Sequence, residues 1–140
     1  MLKFWFAASL LALPVQSQAP RLPTVSAARA QTKVIDGKTY VRLGKRQLES
    51  IIIGHQIAAV FQTSPHRVVM VFKNRAYEKY IGADLADTGT YSVSVNSIWV
   101  RGSGGERIER AFFQASDDEL MMATHGRGEM RWTKVSAKPL

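Results

Sequence analysis

The 140 residues contain no cysteine. That absence excludes disulfide bridges, thiolate metal sites, a thiol nucleophile and a lipid-modified N-terminal Cys, so whatever folds here folds by packing alone. No apolar run reaches the roughly 20 residues that a membrane-spanning helix needs. The motifs of common chemistries are missing too. There is no G-x-S-x-G elbow, no P-loop, no dinucleotide-binding glycine pattern and no H-x-x-x-H pair, so acyl, phosphoryl and cofactor chemistry lack a local signature. No cofactor is expected, and no metal. Without a helix-turn-helix signal, an aromatic RNP pattern or zinc spacing, specific nucleic-acid recognition is not expected either. Acidic residues are few, 11 against 19 Lys and Arg, which leaves a net charge of +8.

What is present begins with Met1-Leu2-Lys3, an apolar stretch from Phe4 to Val15 that ends in Pro14-Val15, and then Ser17-Gln18-Ala19. A single early cation, a short apolar run and small residues at the end make a secretory signal peptide, placed at 1–19. Pro20 is an awkward first residue, so the cleavage position stays open between Ser17 and Ala30. The expected location is therefore the periplasm or the exterior, with no transmembrane segment left after cleavage. Residues 20–32 are rich in Pro, Ala, Ser and Arg with little to bury, and read as a flexible basic linker. Residues 33–140 are about one ordinary domain.

Within that domain, Val34-Ile35-Asp36-Gly37-Lys38-Thr39-Tyr40-Val41 places two β-prone runs around Asp-Gly, the dipeptide of a type I′ hairpin. One helix is expected near 45–53. Leu48, Ile51 and Ile52 form its apolar stripe, and Gly54 ends it. Everything beyond reads as short strands: 57–61, 67–72, 77–81, 89–95, 98–101, 108–113, 120–124 and 130–135. Turn residues separate them at intervals of 8 to 12 residues. The fold class is thus mainly β, an antiparallel up-and-down meander of about eight strands, as a small barrel or a sandwich, with one short helix. In Tyr91-Ser92-Val93-Ser94-Val95, alternation separates apolar from polar faces. A two-residue turn at Asn96-Ser97 would set Val95 opposite Ile98 and Val93 opposite Val100, with Trp99 on the polar face beside Ser94.

The pieces Leu48 to Gly54-His55, Phe72-Lys73-Asn74-Arg75-Ala76-Tyr77, Thr88-Gly89-Thr90-Tyr91-Ser92-Val93 and Asn96-Ser97-Ile98-Trp99-Val100 follow one another in a suggestive order. It resembles that of a family of small exported bacterial proteins with a lipocalin-like meander. The chain departs from the pattern at Arg75, where Gly is usual, and in lacking cysteine. The resemblance implies a fold and an exported setting and transfers no catalytic residue.

Candidate site residues are few. Of the histidines His55, His66 and His125, only His55, beside the helix-ending glycine, is placed to face one end of a barrel. Tyr77, Tyr80, Tyr91, Phe112 and Phe113 lie in expected strands that a closed meander brings together, either as core filling or as the wall of a small cavity. The ligand-binding candidates are accordingly His55, Tyr77, Tyr91, Trp99 and Phe113. Met70, Met121, Met122 and Met130 supply adaptable bulk in either case. Seven cations stand against two carboxylates in residues 20–50, and Arg21, Arg29 and Lys33 are the candidate contacts to an anionic envelope polymer or lipid surface. The alternative use of these charges is solubility. The leading functional expectation is an exported, non-enzymatic β-barrel that binds a small apolar ligand or an envelope macromolecule. The second is a structural or stress-related envelope protein with a basic arm. The third is a small hydrolase or isomerase with its site inside the barrel.

Overall fold

A computed structural model describes residues 30–59, 67–126 and 129–140, with positions 126 and 129 described by backbone alone. The expected leader, most of the expected linker, Arg21, Arg29, Phe61, His66 and residues 127–128 lie outside the described residues.

The chain opens with a hairpin, β1 (Thr32–Ile35) and β2 (Lys38–Arg42). Its turn is Asp36-Gly37, both in the left-handed region at φ 51° and 78°, as a type I′ turn requires. Helix α1 (Lys45–Ile51) follows. The Gln47 amide oxygen accepts from the Gly44 N–H at its start. Leu48 and Ile52, one turn apart, are fully buried, while Ile51 is half-buried. Gly54 then turns the chain with φ 79° and donates its N–H to the Phe72 carbonyl. No described helix is long and apolar enough to cross a membrane.

Eight strands come next: β3 (His55–Ala59), β4 (Val68–Phe72), β5 (Ala76–Ile81), β6 (Asp84–Val93), β7 (Ile98–Gly102), β8 (Arg107–Ser116), β9 (Glu119–Gly126) and β10 (Glu129–Pro139). Each pairs antiparallel with its sequence neighbours, and β10 closes onto β3. The meander is therefore a closed barrel with no free edge within the ring. The hairpin joins from outside, through Val41↔Gln114 and Arg42↔Phe113 on β8. It takes up β8 beyond Arg110, where the β7–β8 pairing ends.

Alternation along the strands sends apolar residues to two separate cores. Inside the barrel pack Ile57, Phe72, Ile98, Phe112, Leu120 and Val135, with Leu43, Leu48 and Ile52 plugging the helix end. Outside it, Tyr40 and Ile35 of the hairpin cover Ala111, Phe113, Met121, Ala123 and Trp132. The second core explains why Ala111-Phe112-Phe113 and Leu120-Met121-Met122-Ala123 are unbroken apolar runs, since both faces of β8 and β9 are covered there. Burying Phe113 under the hairpin contributes roughly 2 kcal/mol on its own.

Three expectations change. The connection between β6 and β7 spans Ser94 to Ser97, closed by the Ser94 N–H to the Ser97 carbonyl. Val93 therefore faces Ile98, and Trp99 faces Ser92. The register slips by two residues, so each side chain keeps its face. Gly89, read from the sequence as a turn position with positive φ that excludes a β-branched side chain, does not have a positive φ. It sits mid-strand opposite Gly102, where a Cβ would lie 1.9 Å from the Arg101 carbonyl oxygen. The end of the basic linker also belongs to the fold: the Ala30 and Gln31 carbonyls both accept from Arg42, and Thr32 begins β1.

Candidate functional site

The two ends of the barrel differ in chemistry. At the helix end the interior is apolar and capped by Leu43, Leu48 and Ile52. At the other end, here called the mouth, the inward positions of β5 to β9 carry Lys79, Asp87, Arg110 and Thr124. The register confirms their shared side, with Lys79 opposite Asp87 and Arg110 opposite Thr124. Arg131 lies opposite Thr124 on β10.

Between these groups lies a cavity of about 130 Å³, lined by Tyr77, Lys79, Asp87, Val100, Ile108 and Arg110 among others. Gly102 is part of its lining, and a Cβ there would meet the Asp87 carboxylate at 2.3 Å. Asp87 accepts from both the N–H and the hydroxyl of Ser103, at 3.0 and 2.7 Å. Those donors hold its carboxyl below the ordinary range, against a small opposing effect of burial, with the Thr88 N–H and Lys79 adding to the same effect.

Arg110 is the unusual member. Its side chain is buried, at 8% relative exposure. Nη1 donates to the Thr124 hydroxyl at 2.9 Å and lies 3.7 Å from the Met122 sulfur. Nε is buried with no hydrogen-bond partner. Burial pulls the guanidinium down from its ordinary value, and Tyr77 is the group that opposes this. Burial in turn pushes the Tyr77 phenol up, partly offset by Arg110. Among the described residues no carboxylate lies within ion-pair distance of Arg110. Buried charges in proteins are ordinarily paired, and an orphaned donor calls for an explanation.

The other predicted site residues are spread over the molecule. Tyr77 is in the barrel and lines the cavity. Tyr91 is also inside, with its ring edge against Phe72 at 5.4 Å and its hydroxyl donating to the Lys73 carbonyl near the helix end. His55 is at the helix end too, its Nδ1 3.0 Å from the Ile53 carbonyl, beside a surface groove of about 280 Å³. Trp99 faces outward under the Arg107 guanidinium at 4.3 Å. Phe113 is buried outside the barrel against Trp132, so it lines no interior. Lys33 lies on β1, 5.0 Å above the Trp132 ring. Of the expected aromatics, Tyr77, Tyr91 and Phe112 belong to the interior cluster, whereas Tyr80, which donates to Glu78, and Phe113 do not.

A second polar cluster lies under the hairpin. Arg42 donates to the Ser97 hydroxyl at 2.7 Å and to the Asn96 carbonyl at 3.0 Å, and Ser97 donates to Glu109 at 2.6 Å. His125 stands 3.9 Å from the other Glu109 oxygen. Serine, carboxylate and histidine are together, but the carboxylate lies between the other two and Ser97 is fully buried. The serine hydroxyl is held between Arg42 and Glu109 and is fully buried, so it has no path to a substrate. Among the described residues no group of three or more His, Asp or Glu could hold a metal ion.

Comparison with family models, curated proteins and solved structures gives no match.

Arg110 escapes sequence reasoning because Glu106-Arg107-Ile108-Glu109-Arg110 reads as a wet strand with alternating charge. One signal is present. Arg110 has the same parity as Ile108 and Phe112, both apolar, which puts it on their face.

Proposed function

We propose that this chain is an exported, non-enzymatic binding barrel that takes a small molecule at its mouth. The observation that carries the reading is the cavity lined by the buried, incompletely bonded Arg110. Its size decides what kind of ligand fits. Pockets for drug-sized molecules run to about 300–1,000 Å³, while this one holds roughly four waters' volume, at about 130 Å³. The ligand is a small molecule, or the polar end of a larger one whose remainder stays outside. Exported location and a lipocalin-like kinship belong to this proposal and rest on the leader and the quoted motifs.

The reading of a basic arm on envelope polymers has less charge to work with. Lys33 sits on Trp132, Lys38 pairs with Glu119 and Arg42 is buried, so three of the seven cations in residues 20–50 already have partners within the fold. Native mass spectrometry of protein purified from its own host tests the proposal. A retained small molecule whose mass adduct disappears when Gly102 is replaced by valine is expected. A ligand retained regardless of that change would place binding elsewhere.

A further inference from the structure

We infer that the group bound at the mouth is a monoanionic carboxylate on a short apolar stem, held by the Nε edge of Arg110; this rests on the mouth being the binding site. The guanidinium offers a fork of donors that matches a carboxylate. One arm, Nη1, is committed to Thr124 and Met122, whereas Nε donates to nothing. A carboxylate at that edge would give the buried cation the counter-ion that no described residue supplies.

The rest of the cavity selects among anions. Val100, Ile108 and the Tyr77 ring form apolar wall beside the guanidinium, which suits a hydrocarbon stem and not a fully hydrated ion. The nearby Lys79 faces Asp87 across β5 and β6, so its charge is already opposed. Glu106 also lines the cavity, so its two cations and two carboxylates balance before any ligand enters, and a phosphate dianion would add twice the excess negative charge that a carboxylate adds. Of the two carboxylates, Asp87 is turned to Ser103 on the β7–β8 connection, whose N–H and hydroxyl share its charge. Nε itself is sheltered from solvent, so the ligand reaches it as the side chains around the guanidinium shift.

Binding of hexanoate, hexan-1-ol and inorganic phosphate to the whole protein, followed by methyl resonances of the methionines, tests this. The expected result is saturable binding of hexanoate that shifts Met122, without an equal shift of outward-facing Met121. Hexan-1-ol and phosphate should each bind at least about tenfold more weakly, the worth of one charge-assisted hydrogen bond. Arg110→Met should lose the same factor, and Arg110→Lys, which keeps the charge without Nε, should recover only part of it. Thermal melting confirms that each variant folds. Equal binding of hexanol and hexanoate at the mouth would overturn the carboxylate inference and leave the mouth as the site. Preferred binding of phosphate would overturn the choice of anion. Hexanoate binding that shifts only residues at the helix end would overturn both the inference and the mouth as its site.

Discussion

Two arginines are buried among the described residues, and they live in opposite circumstances. Arg42, under the hairpin, reaches the Ser97 hydroxyl, the Asn96 and Ala30 carbonyls and, at 3.7 Å, the Glu109 carboxylate. Its guanidinium also lies over the Phe113 ring. Arg110, in the barrel mouth, has Thr124, Tyr77 and a sulfur, and leaves Nε bare. Burial lowers both guanidinium groups from their ordinary value, and only for Arg42 does a carboxylate push back. The same residue type therefore serves as a fastener in one region and keeps an unpartnered donor in the other.

The largest expected break in this comparison is Arg42→Met. It strands Glu109, whose side chain is only 15% exposed, and uncouples the hairpin, at a cost of about 3–5 kcal/mol. Urea unfolding measures it. Pairing the change with Glu109→Gln should recover a substantial part, because the stranded charge is then gone. If the double variant is no more stable than the single one, the fastener is packing and not charge.

Next in size is the facing glycine pair of β6 and β7. Gly89→Val drives a side chain onto the Arg101 carbonyl, an overpacking cost of about 1–3 kcal/mol. Gly102 confronts only the Asp87 side chain, which can move, so Gly102→Ala should lower the melting temperature less. A reversed order would mean that Asp87 is held harder than its bonds to Ser103 suggest.

Arg110→Met should be nearly neutral, or stabilising by about 1 kcal/mol, in the ligand-free protein, since it deletes an unsatisfied buried donor. The contrast with Arg42→Met is the sharpest single test of the two roles. A loss as large as that of Arg42→Met would make Arg110 a second fastener.

The smallest effect is that of acid on Asp87. The folded carboxyl is held below its ordinary 3.8 by the Ser103 donors. Its contribution is therefore complete above about pH 4, where the unfolded group is ionised, and is lost as pH falls through the lower folded value. Asp87→Asn should flatten the acid limb of the stability curve in that range. An unchanged acid limb would remove Asp87 from the account of the mouth.

Much of the architecture is legible in short stretches of the chain. Turn chemistry at Asp36-Gly37, the Leu48–Ile52 spacing with Gly54 after it, and the recurrence of short β-rich runs point to a hairpin, one helix and an eight-strand meander, and the fold has all three. Those signals are local, because they depend on backbone angles and on the two- and 3.6-residue periods of side chains. Arg75 shows the limit of motif logic. It takes the left-handed position at φ 65° where glycine is the usual occupant. The β6–β7 register differs by two residues from the one that turn length suggests, yet every face is kept, because pleating preserves parity under an even slip.

By itself the sequence determined which residues alternate, where the chain turns, and that packing without disulfides must hold it. Only the tertiary structure decided that β10 meets β3, that a second core lies outside the barrel under the hairpin, and that Phe113 belongs to it. It also decided that, of two arginines in strands of similar appearance, one is surrounded by acceptors and the other is not. Partners for a charge come from residues far away in sequence. Ser97 and Glu109 reach Arg42 across more than fifty positions, and no local pattern encodes how many such partners converge.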